Sequence, residues 1–253
     1  MQEITSVSNS KIKEYAKLLQ KKYREESDLF LVEGQKSYEE ISEANLKIID
    51  LFVLDKDVKI KDSSIATVVS EPVMKKISST ESIPSIITVA KKKHHKIEEI
   101  SNKNNIILLE NIKDAGNLGT IIRATAAFEI DAILIAGDSV DIYNPKVLRS
   151  SAGNFFKTPI VKLPSIESLK EQFKDYNIFA TALSSQTAKL PQEINPKEKN
   201  IIMFGAEATG LSEKLTNISD FNLLIPMSKK VESLNLSMAA NIVCYEIYKS
   251  KIS

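Results

Sequence analysis

The chain has 253 residues, 43% hydrophobic and 26% charged, enough to bury the core of one large domain or two modest ones. Its 34 Lys and Arg stand against 33 Asp and Glu, so no global charge draws it to a polyanion and any nucleic-acid surface is a local patch. The single cysteine, Cys244, excludes an intramolecular disulfide and a thiolate zinc cluster. The opening MQEITSVSNSKIKEY lacks the apolar core of a signal peptide, and no apolar run approaches the roughly 18 to 20 residues of a membrane span. The expected setting is the cytoplasm, for an enzyme or a binding protein.

In chain order, KIKEYAKLLQKKYREE has helical spacing, and DLFLVEG is a short strand closed by Gly34. QKSYEEISEAN follows as a helix, IIDLFVLD and ATVVS as strands, SEPVMKKISST as a helix with Pro72 in its first turn, and SIITVA as a strand. The polar, charged KKKHHKIEEISNKNN then reads as a linker. A second alternation begins at Asn105, with apolar strands at 106–110, 132–137, 158–163, 177–183, 200–205 and 221–226. The helical segments between them are NLGTIIRATAAF, NPKVLRSSAG, SIESLKEQFKDY and LSEKLTN, and the last helix is expected from Leu234 to Tyr248. Strands this apolar, alternating with helices, predict an α/β fold with a mainly parallel sheet covered on both faces.

Three constellations follow predicted strands, where ligands bind in open α/β folds. The first is NLGTIIR: Gly116 and Gly119 are expected to allow a tight turn, Asn117 stands where a helix is capped, and Arg123 lies nearly two turns on. Its glycine spacing fails the dinucleotide fingerprint, and no Walker-type sequence follows. The second is GAEATG, in which Glu207 needs a donor or cation if it is buried. The third is SLNLS, where Ser233, Asn235 and Ser237 enter a helix that needs one cap, and Ser233 is the candidate for it. Any one of these has a plain structural explanation, but three, each just past a predicted strand, point to one shared crevice.

NLGTIIR, FGAEATGL and IPMSKKVESLNLSMAANIVCYE, in that order, resemble the three motifs of the SpoU/TrmH family of S-adenosylmethionine-dependent RNA ribose 2′-O-methyltransferases, within the SPOUT superfamily. The resemblance covers about residues 105–250, and FLVEGQKSYEE resembles the L30e-like substrate-binding domain of two-domain members. It implies an L30e-like RNA-binding domain at 1–97, a linker at 98–104, and a SPOUT catalytic domain at 105–253 with a C-terminal trefoil knot, acting as a homodimer. It also implies catalytic roles for Asn117, Arg123, Glu207, Ser233 and Asn235. The methyl donor, S-adenosylmethionine, is implied to lie against Ala182, Leu183, Gly205, Glu207, Gly210, Ile225, Met227 and Leu234.

The implied reaction needs reactants held in line, with help for loss of the hydroxyl proton. Arg123 is the family's candidate base, but a guanidinium keeps its proton, which favours a clamp on phosphate and developing alkoxide. RNA contacts are expected from Lys11, Lys13, Lys21, Lys22 and Arg24, from Lys91, Lys92, Lys93 and Lys96 of the linker, and from Arg149. His94 and His95 adjoin basic residues, and no metal is expected. The front domain favours ribosomal RNA, 23S-type, over transfer RNA as substrate. A non-catalytic RNA-binding or assembly factor of the same fold is the alternative from another class.

Overall fold

The computed structural model describes residues 2–55, 58–182 and 188–253. The chain forms two compact units, Met1–Lys93 with Asp141–Phe156, and His94–Val140 with Lys157–Ser253.

The first unit holds β1 (Gln2–Ile4), α1 (Ser10–Lys17), α2 (Lys21–Ser27), β2 (Leu29–Glu33), α3 (Gln35–Glu43), β3 (Ile48–Val53), β4 (Ala66–Val69), α4 (Glu71–Ile77) and β5 (Ile86–Lys91). The single helix expected over 11–26 is two. Asn9 caps the first by accepting from the N–H groups of Lys11 and Ile12, and a tight turn at Leu18–Gln20 ends it. This break lets Ile12, Tyr15 and Leu18 stay in the core with Val73, Met74 and Ile77 of α4. The sheet runs β1-β4-β3-β5-β2, with β5 antiparallel to both neighbours and the other pairs parallel. β1 has no counterpart in the predicted elements, since three residues are too few to show a period.

In the second unit, β6 (Asn105–Glu110), α5 (Ala115–Ala127) and β7 (Ala132–Ala136) come first. The chain then enters the first unit as α6 (Pro145–Ser150), which packs on β2. It returns as β8 (Ile160–Lys162), α7 (Glu167–Gln172), β9 (Asn177–Ala182), β10 (Asn200–Phe204), α8 (Glu213–Ile218), β11 (Phe221–Leu224) and α9 (Leu236–Ile252). The six strands form a wholly parallel sheet, ordered β11-β9-β10-β6-β7-β8. Every residue of β6, β7 and β10 is buried, because alternate side chains serve two covered faces. Ile106, Leu108 and Leu134 meet Leu169 and Phe173 beside α7 and Leu215 of α8 on one face. Ile97 and Ile100, inside the stretch read as a linker, belong to the same cluster, so apolar residues anchor this charged segment.

The segment Asp141–Phe156 is fixed to the first unit by an aromatic cluster and a buried ion pair. Phe30 meets Tyr143 and Phe156, and the Tyr143 hydroxyl donates to Lys93 O at 2.6 Å and accepts from its N–H at 2.8 Å. Arg24, only 1% exposed, reaches Asp141 at 2.6 Å through Nη2 and donates to Leu18 O through Nη1. No helix among the described residues is long and apolar enough to cross a membrane.

Candidate active site

The order of the parallel sheet locates its crevice. From β6 the chain moves to β7 and β8 on one side, whereas β10 leads to β11 on the other. Loops leaving the carboxyl ends of adjacent β6 and β10 therefore diverge and leave an opening between them. Both loops carry motif residues.

After β6, Asn111 takes a positive φ of 54° and turns the chain, so the tight turn is not made by glycine. Gly116 and Gly119 lie inside α5 instead. Asp114 caps that helix, accepting from the Asn117 N–H at 2.7 Å, which frees the Asn117 side chain to face the crevice. After β10, the 205–212 loop closes on itself through paired Ala206 and Gly210 backbone bonds of 3.1 and 2.8 Å. A Cβ at Gly205 would lie 2.0 Å from the Gly210 carbonyl carbon, so only glycine permits this closure. The buried Glu110, ending β6, accepts from the Ser212 N–H at 2.7 Å and ties down the far end of the loop.

The third constellation completes the cluster. Asn235, not Ser233, caps α9, its Oδ1 accepting from the N–H groups of Ser237 and Met238 and from the Ser237 hydroxyl. The helix therefore starts at Leu236, two residues later than its apolar pattern suggests. The Asn235 amide Nδ2 remains free to donate to Asn117 Oδ1 at 3.2 Å and lies 3.5 Å from Glu207 Oε1. Asn117 Nδ2 also donates to Glu207 Oε1. Side chains from positions 117, 207 and 235 thus form one hydrogen-bonded triangle, with Glu207 as its shared acceptor.

Beside the triangle lies a cavity of about 320 Å³. Of the residues expected against the donor, Ala182, Gly205, Glu207, Gly210, Ile225, Met227 and Leu234 line it, as does Ser233. Leu183 lies outside the described residues. Leu236 and Ala239 of the third motif add apolar wall, Ala208 and Thr209 of the second also line the cavity, and Thr181 and Leu223 join them from outside the motifs. Arg123 is not joined to the triangle. It is exposed, without a hydrogen-bond or ion-pair partner among the described residues, and six positions along α5 turn it away from Asn117.

The expected RNA cations divide. Arg24 is withdrawn from the surface by its buried pair with Asp141, and Lys11 is engaged by Asp50. Lys21 and Lys22 are exposed, loosely paired with Glu25 and Glu26 at 3.7 and 3.9 Å, and Lys13 is exposed. Lys91 lies 3.9 Å from Asp28, Lys93 and Lys96 are exposed, and burial beside the Tyr143 ring lowers the Lys92 pKa. Arg149 is exposed and donates to Ser79 Oγ at 2.9 Å. His95, beside these basic residues, also has an acidic neighbour in Glu99 at 2.7 Å. Among the described residues no group of three or more His, Cys, Asp or Glu could hold a metal.

Residues 104–245 match the model of the SpoU rRNA Methylase family, and residues 9–88 that of the MRM3-like substrate binding domain. The chain is 31% identical over 253 residues to the 23S rRNA (guanosine(2553)-2'-O)-methyltransferase RlmP of Bacillus subtilis (strain 168), covering 98% of this chain and 99% of that one. In fold it matches an AdoMet-bound rRNA methyltransferase from Sinorhizobium meliloti, with a TM-score of 0.89, 24% identity, and 100% and 99% of the two chains covered. A crystal structure described as an RNA 2'-O ribose methyltransferase aligns with a TM-score of 0.82 and 28% identity over all of both chains.

Proposed function

The chain belongs to the SpoU rRNA methylase family, and we propose that it transfers a methyl group from S-adenosylmethionine to a ribose 2′-hydroxyl of 23S-type ribosomal RNA. The observation that carries this reading is the Asn117–Glu207–Asn235 triangle, whose Glu207 also lines the cavity. Ribosomal rather than transfer RNA is favoured by the full-length match to a 23S rRNA enzyme, domain for domain.

The cavity suits the donor. Ile225, Leu234 and Leu236 offer an apolar wall for an adenine and a methylene stem, and the closed 205–210 loop presents backbone to polar edges. S-adenosylmethionine brings a methyl group already activated on a sulfonium, so the protein's task is placement and charge. Glu207 Oε1 holds both amides, which fixes their rotamers toward the crevice and leaves Oε2 open to substrate. Asn117 and Asn235 then orient the ribose, while Ser233 shapes the entrance. Arg123, exposed and turned from the triangle, is assigned the neighbouring RNA phosphate, which its guanidinium would clamp.

The exposed stripe Met238, Ile242 and Tyr245 on α9 supports a homodimer through this unit, since a helix apolar on several sides needs more than one covering surface. The family reading carries a C-terminal trefoil knot with it, in the part of the chain where α9 returns from the edge strand β11 to pack on α5.

Calorimetry with S-adenosylmethionine, followed by transfer of labelled methyl to ribosomal RNA, tests the assignment. Wild type and Arg123→Ala should bind the donor alike, with transfer by Arg123→Ala reduced roughly a hundredfold or more. Near wild-type transfer by Arg123→Ala would end the role given to Arg123, and absence of donor binding would favour a non-catalytic factor.

A further inference from the structure

Glu33 closes β2 within the FLVEG run, and a single loop takes up its carboxylate. Oε1 accepts from the Ser79 N–H at 2.8 Å and the Ser79 hydroxyl at 2.6 Å. Oε2 accepts from Ser78 Oγ at 2.8 Å and Thr80 Oγ1 at 3.0 Å. Charge-assisted bonds to both backbone and hydroxyls fix this loop and the Ser79 rotamer together. With its proton directed to Glu33, the Ser79 hydroxyl turns lone pairs outward, and one of them accepts from Arg149 Nη1 at 2.9 Å.

Arg149 stands in the last turn of α6, exposed, with no acid within ion-pair distance among the described residues. Had stability alone been served, a carboxylate would meet the guanidinium directly. Here a neutral hydroxyl intervenes, so the group is held in place while its charge and remaining N–H donors stay available. Lys36, exposed in α3 and likewise without an acidic partner, backs the turn after Arg149: a Cβ at Gly153 would lie 3.7 Å from Lys36 Cβ.

We infer that the Glu33–Ser79–Arg149 chain is a preset anion contact of the first unit, which takes a phosphodiester of the RNA substrate and in which Glu33 is a positioning residue. A planar guanidinium fixed before binding suits phosphate geometry and loses little rotamer freedom on contact. The inference rests on RNA being the substrate, as proposed above.

Filter binding of a 23S rRNA transcript, from about 50 to about 300 mM KCl, provides the test. Arg149→Ala should weaken binding roughly tenfold and reduce the slope of log affinity against log salt by about 0.7 to 1. Ser79→Ala and Glu33→Gln should each weaken binding about threefold with the salt slope kept, since no cation is lost. The Glu33→Gln/Arg149→Ala double variant should bind like Arg149→Ala alone. Ser79→Ala, which removes one hydroxyl and leaves the Ser78 and Thr80 bonds to Glu33, keeps the test open if Glu33→Gln fails to fold. An unchanged slope and affinity in Arg149→Ala, or double-variant losses equal to the product of the single ones, would overturn the inference. Wild type that binds no ribosomal RNA at all would overturn the substrate reading instead.

Discussion

Asn235 does two jobs with opposite ends of one amide. Its oxygen caps α9, and its nitrogen donates into the triangle with Asn117 and Glu207. Asn235→Asp separates them: a carboxylate caps as well as an amide, so stability should hold within about 0.5 kcal/mol. It cannot donate, however, and it sets a like charge beside Glu207, so methyl transfer should fall roughly a hundredfold. A thermal melt paired with a labelled-methyl assay checks this; equal loss of stability and activity would reduce Asn235 to a cap. At this scale the sequence was legible where polar residues exceeded structural need, as with Ser233, Asn235 and Ser237 before an apolar helix. It misled over which residue caps, because Ser and Asn are equally good N-caps and only the backbone turn chooses. Asn117 was read as standing at the cap of α5, whereas Asp114, three residues before it, takes that place. The loop-bracing Glu110 was not, since an acid ending an apolar strand looks the same whether it meets solvent or a backbone N–H.

Among the elements, the parallel sheet was readable from its uninterrupted apolar strands, whose burial on both faces leaves little room for polar residues. The destination of α6 was not. NPKVLRSSAG has the caps of a helix, but nothing in its period says that it packs on β2 in the first unit. That placement depends on side chains far apart in sequence, Arg24 with Asp141 and Phe30 with Tyr143. Arg24, counted as a surface cation for its basic neighbourhood, is buried for this reason. Removing one partner leaves the other charge buried and unpaired, so Arg24→Ala or Asp141→Ala should cost the first unit about 3 to 5 kcal/mol. Urea unfolding checks it, and a cost under about 1 kcal/mol would mean the pair is solvated. In α9 the buried Cys244 thiol is pushed up to about 12 by desolvation, which leaves it a packing residue and not a nucleophile.

For the whole molecule, the functional account rests on the crevice between the β6 and β10 loops of the second unit and on the cations of the first unit. Both family models were foreshadowed by short motifs, whereas the cavity wall at Leu223 was not, because a residue without polar chemistry leaves no mark in a pattern. The apolar stripe on α9 predicts a dimer in solution by sedimentation, with Met238→Glu/Tyr245→Glu shifting it to monomer; a monomeric wild type would contradict the homodimer. The central claim is methylation of a ribose hydroxyl in ribosomal RNA. Its most direct test is incubation of the protein with methyl-labelled S-adenosylmethionine and separated ribosomal and transfer RNA, followed by alkaline hydrolysis. The account predicts label in the large ribosomal RNA, within a dinucleotide that resists hydrolysis because its 2′-oxygen is blocked. Label confined to transfer RNA, or released as a base-methylated mononucleotide, would contradict it.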